Sequence, residues 1–382
     1  MALAAATAAP LIVDLLPLPK IPPVVTEICA GVLIGPQLLD LVDITAPLEV
    51  FAQLGLVFLF FLAGLEIAFR AEQERHLRLL LWAFALSLVL AFGAGFGLEA
   101  AGLVGSSVLV AIILAATSFG IVVAVLKDVG ASRSSLGQLV IACASIADFG
   151  TVILLSIFFS HQSSSPESTI VLLLLFGGVV VAVGMLLAGA RMSGPLVAAV
   201  VRMQRTSAQI GVRIAFLLVV LLVLMAQEFG LEVVLGAFLA GAMLSFLDRE
   251  EAVRESGLQE KLEGIGFGVF IPIFFVVSGV QLQLDDLFST VDAAVLVPLT
   301  VVALLVVRGT PALIYSRFMT RREAVATGLL QATSLSFIVA ASQIGVELGK
   351  LEEVEAAGLV AGGVISVLVF PAIAVRMLRP AS

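Results

Sequence analysis

The chain has 382 residues, of which 61% are hydrophobic and 13% are charged, with a formal net charge of −8. Soluble domains carry about 25% charged residues, so this composition excludes a water-soluble globule and indicates an all-α polytopic membrane protein. The apolar runs are continuous over about 20 residues instead of alternating over about 10, which excludes a transmembrane β-barrel.

Apolar runs between charged or glycine- and proline-rich breaks predict about thirteen transmembrane helices. These spans are 5–18, 22–37, 48–68, 77–98, 104–126, 134–160, 168–190, 209–227, 230–247, 264–281, 292–316, 323–346 and 355–378. We expect residues 1–380 to form a single exchanger domain without a soluble regulatory domain. Two six-helix repeats, at about 5–160 and 209–378, would flank a linker helix at 168–190.

Lysine and arginine concentrate in the cytoplasmic loops of membrane proteins, so their distribution predicts the orientation. Sixteen of the 20 lie in loops after odd-numbered spans and two near the C-terminus, whereas the loops after even-numbered spans hold only Lys350. The remaining one, Arg308, lies inside a span. This pattern predicts an outside N-terminus and a cytoplasmic C-terminus, in the plasma (inner) membrane.

Two segments in opposite halves of the chain resemble each other. "LAATSFGIVVA" at 114–124 lies in the fifth span and "LQATSLSFIVA" at 330–340 in the twelfth, seven spans later, so they run in opposite directions through the membrane. Inverted repeats are typical of transporters, whose sites lie at the repeat interface. The alternative is chance recurrence of Ala-Thr-Ser in a chain rich in small residues.

One charged residue, Asp148, interrupts the run "LVIACASIADFGTVILLSIFF" at 139–159. An ionised carboxylate inside the membrane costs about 2.5–3.5 kcal/mol on insertion scales. A structural carboxylate bonded to a neighbouring helix is one explanation. The other is functional, because a carboxylate that holds either a proton or a monovalent cation, such as Na⁺ or K⁺, is the minimum machinery for exchange.

Arg308, in "VVALLVVRGTPALIY" at 301–315, is the candidate counter-charge for this acid. Snorkelling of its stem towards the headgroups is the alternative. It lies nine residues before Arg317, however, which is deep for snorkelling and favours an interior position. A guanidinium stays protonated, so Arg308 would be a fixed charge and not the proton carrier.

Hydroxyl side chains mark both repeated segments, with Thr117 and Ser118 in the first and Thr333 and Ser334 in the second. Such hydroxyls often only bond to the carbonyl four residues earlier. Gly120 would also permit an unwound stretch, where free carbonyls and helix ends bind cations. We therefore expect the hydroxyls or carbonyls near these residues to assist a cation at Asp148. "GFGVFIPIFF" at 266–275 predicts a further interruption or hinge.

Other ionisable groups carry less information. Glu27 lies in the short second span, and Glu66 lies near the end of the third, where it meets water or Arg70; the sequence assigns neither a role. No metal, nucleotide or nucleophile motif occurs, so we expect no enzyme activity and no cofactor beyond transported ions. Nothing points to nucleic acid or to another protein as partner.

Several segments together resemble the monovalent cation:proton antiporter-2 family, which includes sodium/proton exchangers and Kef-type potassium systems. They are "EICAGVLIGPQLL", "LGLVFLFFLAGLEI", "ATSFGIVVAVLKDVG", "ASIADFG", "LGAFLAGAMLS" and "GFGVFIPIFFVVSGVQL". Each is unspecific alone, but their order covers almost the whole chain. The resemblance implies a dimerisation domain and a core (transport) domain, in which two broken helices cross beside an essential aspartate.

Carried onto this chain, the resemblance matches Asp148 to that aspartate and Arg308 to the basic residue opposite it. Thr117 and Ser118 match the unwound crossover, and Thr333 and Ser334 lie at the crossover of the second repeat. The family also implies a homodimer and an elevator-like displacement of the core within the lipid bilayer.

One departure from the family bears on function. Electrogenic members have two adjacent acids at this site and Kef-type members have glutamine before the aspartate, whereas Ala147 precedes Asp148 here. One acid predicts electroneutral exchange of Na⁺, or of K⁺ or Li⁺, for H⁺. A Kef-type K⁺/H⁺ antiporter is the closest alternative. A sodium-coupled organic-anion symporter or a channel is the alternative of another class, because such scaffolds host several functions.

Overall fold

The structure is a computed structural model that describes residues 1–15, 23–36, 38–65, 77–128, 130–131, 134–159, 166–191, 203, 206, 208–247, 257–281, 291–316 and 319–378. Within these residues the secondary structure is helical and no β-strand occurs. The Glu66 position falls outside them.

Helices follow one another along the whole described chain. They are α1 (Ala2–Leu15), α2 (Pro23–Ile34), α3 (Ala46–Leu65), α4 (Leu77–Ala100), α5 (Ser107–Ala115), α6 (Phe119–Asp128), α7 (Ser135–Phe158), α8 (Pro166–Arg191), α9 (Ile210–Glu228), α10 (Val233–Leu247), α11 (Leu258–Gln281), α12 (Val291–Leu304), α13 (Ala312–Tyr315), α14 (Arg321–Gln331), α15 (Ser336–Glu347) and α16 (Glu353–Leu378).

Eight helical stretches in the described part of the chain are long and apolar enough to cross a membrane. They are Ala46–Leu65, Arg78–Ala100, Leu136–Phe158, Ile210–Glu228, Leu258–Gln281, Ala294–Tyr315, Arg321–Glu347 and Glu353–Leu378. Shorter apolar helices lie between them. The all-helical, many-span architecture expected from composition is therefore observed.

Two of the predicted spans are each divided into two helices. The span at 104–126 consists of α5 and α6, separated by 116–118, and the span at 323–346 consists of α14 and α15, separated by 332–335. Thr117, Ser118, Thr333 and Ser334 all lie in these interruptions. The repeated Ala-Thr-Ser segments thus occupy the two places where a membrane-length helix stops and restarts.

The break expected at "GFGVFIPIFF" has a different form, because the chain stays helical through Pro272. A π-helical turn at Gly266–Phe270 precedes the proline, and a second π-turn at Leu305–Gly309 follows α12 and precedes Pro311. A proline ring collides with the carbonyl four residues earlier, and in both cases that carbonyl belongs to the wider π-turn. The first π-turn therefore accommodates Pro272 within the continuous helix α11, whereas two turn residues, Thr310 and Pro311, follow the second π-turn before α13 begins.

The described chain forms two compact units. The first, residues 1–44, 70–151 and 275–382, combines helices from both halves of the sequence. In it α16 packs against α12, α14 and α15, and α4 packs against α5 and the second π-turn. A side chain at Gly31 of α2 would collide with the carbonyl oxygen of Val276 of α11, so these helices are in backbone contact.

The second unit comprises residues 45–69 and 152–274 and contains α3, α8, α9 and α10. Its closest helix pair is α3 with α10, where glycines bring the backbones together. A side chain at Gly64 would collide with the carbonyl of Phe238, and one at Gly241 with that of Phe61. Lipid tails leave no hydrophobic driving force for helix association, so small residues stabilise such contacts by allowing close van der Waals packing.

Candidate ion-binding site

The two helix interruptions of the first unit are hydrogen-bonded to each other. The backbone N–H of Ser118 donates to the carbonyl oxygen of Thr333 over 2.9 Å. The Ser118 Oγ accepts from the backbone N–H groups of Leu335 (2.7 Å) and Ser336 (3.1 Å). We call this region the crossing (residues 116–118 and 332–335).

The Ser118 hydroxyl performs the task of a helix cap from another part of the chain. Helix α15 begins after Leu335, whose backbone is neither helical nor extended and whose side chain cannot cap. The first N–H groups of a helix lack partners within it, and an orphaned donor in a membrane is costly. Ser118 satisfies this need from 217 residues away in sequence.

Arg308 lies in the second π-turn and is only 2% exposed. Its Nε donates to Thr117 Oγ1 over 2.9 Å, and its Nη1 donates to Ser87 Oγ of α4 over 3.0 Å. Thr117 Oγ1 in turn donates to the carbonyl oxygen of Gln331 over 2.8 Å. The guanidinium therefore joins the π-turn to α4 and to Thr117 of the crossing, and Thr117 continues the chain of hydrogen bonds to the end of α14.

Asp148 lies on α7 with its side chain partly exposed and its Oδ1 atom buried. It interacts electrostatically with Arg308, whose Nη2 is buried and makes no hydrogen bond to any described residue. A buried guanidinium needs a compensating negative charge, because desolvation costs several kcal/mol per ion. The predicted acid and the predicted counter-charge are thus in the same place.

A thiol and a phenol lie beside this pair. Cys143 Sγ donates to the Tyr315 hydroxyl over 3.0 Å, and both side chains are buried together with Leu80 and Ala142. This contact joins α7 to α13, directly after the π-turn that carries Arg308. It links α7, which carries Asp148, to α13, which follows the π-turn that carries Arg308.

The hydroxyls of the second interruption differ in their partners. Thr333 Oγ1 donates to the Leu329 carbonyl (3.1 Å), which is the local back-bond that such residues often make. Ser366 Oγ of α16 accepts from the Ser334 N–H (3.2 Å). The Ser334 Oγ is buried without a hydrogen-bond partner among the described residues. Ser334 is consequently a hydroxyl oxygen at the crossing that still has capacity for a ligand.

The structure joins Arg308 to Thr117 and Ser118 to Thr333, places Asp148 within electrostatic range of Arg308, and adds partners that sequence reasoning missed. These partners are Ser87, Cys143, Tyr315, Gln331 and Ser366. A signal existed for Ser87, a single polar residue in the apolar run "LLLWAFALSLVLAF". The contribution of Gln331 is a backbone carbonyl, which no side-chain pattern reveals.

Few acidic side chains near this site could provide oxygen ligands for a cation. The described residues contain no group of three or more histidine, cysteine, aspartate or glutamate side chains that could hold a metal ion. Glu27 on α2 is buried, at 6% exposure, but none of the crossing contacts involves it. A monovalent cation at this site would therefore rely on Asp148 with neutral hydroxyl and carbonyl oxygens.

Comparison with known proteins agrees with this architecture. A putative Na⁺/H⁺ antiporter of Bacillus subtilis, YjbQ, is 31% identical over 371 residues, which cover 92% of this chain and 58% of that protein. The chain thus spans little more than half of that relative. The probable Na⁺/H⁺ antiporter 3 of Methanocaldococcus jannaschii is 28% identical over 362 residues, covering 92% and 89% of the two chains.

A solved structure shares the fold. The sodium proton antiporter MjNhaP1 of Methanocaldococcus jannaschii at pH 8 matches 98% of this chain and 95% of its own, with a TM-score of 0.69 at 16% identity. The family model described as "Sodium/hydrogen exchanger, transmembrane" matches residues 3–379. The chain is therefore an integral, multi-pass membrane protein and belongs to the sodium/hydrogen exchanger family.

Proposed function

We propose that the protein is a secondary active antiporter that exchanges H⁺ for monovalent cations, chiefly Na⁺. The observation that carries the proposal is that Asp148, an acid in a membrane-length helix, lies within electrostatic range of the buried Arg308 beside the crossing. An ionisable residue inside a membrane domain marks an ion or proton pathway by default. The names of the relatives agree with this chemistry.

In the proposed cycle, the proton and the cation compete for Asp148. The ionised carboxylate binds the cation, and protonation releases it, because a neutral carboxyl group is a poor cation ligand. Arg308 keeps its charge throughout and stabilises the carboxylate in the interval when neither is bound. Movement of the site between the two membrane faces then couples the two fluxes.

We assign the neutral ligands to the crossing. The Thr117 hydroxyl already accepts from Arg308, and the Ser118 hydroxyl already accepts from the start of α15. Each therefore mainly supports the site and can offer the cation at most one lone pair. Ser334 Oγ and the carbonyl groups of the interruptions offer further oxygens near Thr333. Helix ends that face each other also suit a cation that is bound and released in turn.

We further propose that exchange is electroneutral, with one proton for one cation. Asp148 is preceded by the buried Ala147, so the site has one titrating acid. Exchange in sealed proteoliposomes should proceed at the same rate with the membrane potential clamped at zero or at a negative value. A rate that changes with the clamped potential would contradict one-for-one exchange.

The decisive experiment compares wild type with Asp148→Asn in proteoliposomes that carry an internal pH dye. Addition of Na⁺, K⁺ or Li⁺ in turn should produce proton flux in the wild type, most strongly with Na⁺. Asp148→Asn should reduce flux to the level of empty vesicles, because an amide cannot carry the proton. A larger response to K⁺ would favour the Kef-type alternative.

A matched control is Asp40→Asn, the same chemical change in an exposed residue whose positive φ of 49° asparagine also tolerates. It should leave flux unchanged. Asp148→Asn leaves the buried charge of Arg308 without compensation, so its unfolding temperature in detergent should fall, but a cooperative transition should remain and show that the variant is folded. Cation-driven proton flux in folded Asp148→Asn would refute the assignment, and sodium-driven uptake of an organic anion without proton flux would favour symport.

The proposal also covers the membrane topology and the oligomeric state. We propose thirteen transmembrane spans with inverted repeats at about 5–160 and 209–378. The equivalent interruptions of α5–α6 and α14–α15 support this topology. We also propose a homodimer in the plasma membrane, with the N-terminus outside and an elevator-like movement of the core. The lysine and arginine distribution supports the orientation.

A further inference from the structure

A basic surface lies where the start of α14 meets the end of α16, in the first unit. Three exposed arginines form it, with Arg321 and Arg322 in the first turn of α14 and Arg376 in the last turn of α16. The Arg322 Nη2 atom donates to the backbone carbonyl oxygen of Arg376 over 3.2 Å, so the two helix ends are in direct contact. We call these three arginines the basic rim.

The positive charge of the basic rim is only partly compensated within the described chain. The side chains of Arg321 and Arg376 make no hydrogen bond or ion pair with any residue that the structure describes. The one acid in the described residues of these two helix ends is Glu323, whose Oε2 accepts from the backbone N–H and the hydroxyl of Thr320 in a capping box. The excess of positive charge favours an anionic ligand.

An exposed apolar stripe leads away from the basic rim along α16. Ile365, Val369 and Ile373 are 37%, 42% and 42% exposed. They precede Arg376 at intervals of four, four and three residues, which places the four side chains on one face of the helix. The stripe from Ile365 to Arg376 is about 16 Å long at 1.5 Å per residue, and half of a bilayer hydrocarbon core is about 15 Å thick. Its length therefore matches the acyl chains of one leaflet.

Helix α14 shows the same combination in a shorter form. Of its residues only Arg321, Arg322 and Val325 are exposed, and Val325 lies within one turn of both arginines. On both helices an exposed arginine thus adjoins an exposed apolar side chain. A small soluble anion would contact the arginines alone, whereas an amphipathic molecule with a negative headgroup would contact both kinds of surface.

We propose that the basic rim and the α16 stripe bind an anionic phospholipid, with its phosphate on the arginines and its acyl chains along the stripe. Guanidinium groups bind phosphate oxygens in a bidentate manner, and basic clusters at cytoplasmic helix ends attract anionic headgroups. In the proposed orientation both helix ends are cytoplasmic. The lipid bridges α14, which ends at the crossing, to α16, and so stabilises the unit that contains Asp148. The site is independent of which ions are transported.

The first test measures thermal unfolding of the purified protein in a neutral detergent. Dioleoyl-phosphatidylglycerol and dioleoyl-phosphatidylcholine have the same chains, so a difference between them reports the headgroup. We expect phosphatidylglycerol to raise the unfolding temperature more, at a lower concentration. Arg321→Gln/Arg376→Gln should unfold like the wild type in phosphatidylcholine, because neither side chain has a described partner, and should bind phosphatidylglycerol about thirtyfold more weakly.

The matched control is Arg213→Gln, which removes an exposed arginine from the first turn of α9 in the second unit. It should keep the preference for phosphatidylglycerol. No preference in the wild type, or an equal loss of affinity in Arg213→Gln, would overturn the site. Displacement of the lipid by an equal concentration of glycerophosphoglycerol, the headgroup without chains, would also overturn it, because the arginines would then bind any phosphate.

A second measurement locates the lipid. Trp82 is the one tryptophan of the chain, so Trp82→Phe/Ile373→Trp places a single fluorophore on the stripe. In phosphatidylcholine bilayers, a small fraction of brominated phosphatidylglycerol should quench its fluorescence about threefold more than the same fraction of brominated phosphatidylcholine. Arg321→Gln/Arg376→Gln should remove this preference.

The control for the quenching is Trp82→Phe/Leu217→Trp. Leu217 is 68% exposed and lies one turn after Arg213, so it has the same relation to a single exposed arginine. It should be quenched to a similar degree by the two brominated lipids. Equal quenching of Ile373→Trp by both lipids, or the same preference at Leu217→Trp, would overturn the site even if phosphatidylglycerol stabilises the protein.

Discussion

At the scale of the residue, Arg308 does more than neutralise an acid. Its Nε and Nη1 atoms point to different hydroxyls, on Thr117 and Ser87, which belong to different helical segments. A planar guanidinium offers several donors in a fixed geometry, whereas an ammonium is a compact point charge. Arginine at this position can therefore hold the crossing and face Asp148 with the same side chain.

Arg308→Lys tests this bridging role. A lysine cannot reach both hydroxyls in the arginine geometry, so we expect the free energy of unfolding in mild detergent to fall by about 1–3 kcal/mol. Proton flux should also decrease, because the carboxylate loses a well-placed counter-charge.

The control for this prediction is a double-mutant cycle with Ser87→Ala. Since Ser87 and Arg308 bond directly, the combined loss should be smaller than the two separate losses added together, by about 1 kcal/mol. Additive losses would mean that the bond between Arg308 and Ser87 contributes nothing to stability.

At the scale of the element, each interrupted helix depends on the other. The carbonyl of Thr333 accepts from the Ser118 N–H, and the Ser118 hydroxyl accepts from the first N–H groups of α15. Three backbone N–H groups at the interruptions, those of Ser118, Leu335 and Ser336, are thus satisfied across the crossing. This exchange lets polar backbone exist inside a membrane domain.

Ser118→Ala should destabilise the crossing, because it leaves the Leu335 and Ser336 N–H groups without their acceptor. We expect a loss of about 1–3 kcal/mol in unfolding free energy, measured by denaturant titration in detergent. Ser118→Thr, which keeps the hydroxyl, should restore most of it.

The matched control is Ser316→Ala, which removes an exposed hydroxyl that only donates to the Leu313 carbonyl. It should change stability by less than about 0.5 kcal/mol. Equal losses of stability in the two alanine variants would show that the Ser118 hydroxyl contributes no more than an exposed hydroxyl.

At the scale of the whole molecule, the distribution of lysine and arginine supports the proposed orientation. Lys350 lies in the turn between α15 and α16 and is the one basic residue in a loop assigned to the outside. Ser316 lies at the other end of the interrupted span formed by α14 and α15. The two positions should therefore be on opposite sides of the membrane.

Single cysteines test this in the Cys29→Ser background, where Cys143 is buried. In intact cells, a membrane-impermeant thiol reagent should label Lys350→Cys and leave Ser316→Cys unlabelled until the cells are permeabilised. The reverse pattern would invert the topology, and labelling of both in intact cells would disprove the span between them.

The sequence alone was sufficient for the all-helical, many-span fold class and for the choice of Asp148 and Arg308 as the groups to examine. The reason is energetic, because apolar runs can only be membrane helices and a charge inside one is costly in any arrangement. A break near Thr117 was also foreseeable from Gly120, and the family resemblance implied a second one at Thr333 and Ser334. The form of the π-turns before Pro272 and Pro311 was not.

Only the tertiary structure determined the partners of these groups. Arg308 meets Thr117 from 191 residues away, and Ser118 caps a helix that begins more than 200 residues later. A cavity in the first unit likewise brings Asp43 together with the ends of α11 and α15 and the start of α16. A local pattern shows that a segment must keep its polar groups away from lipid. The partner of a buried polar atom, however, depends on which distant segments pack beside it.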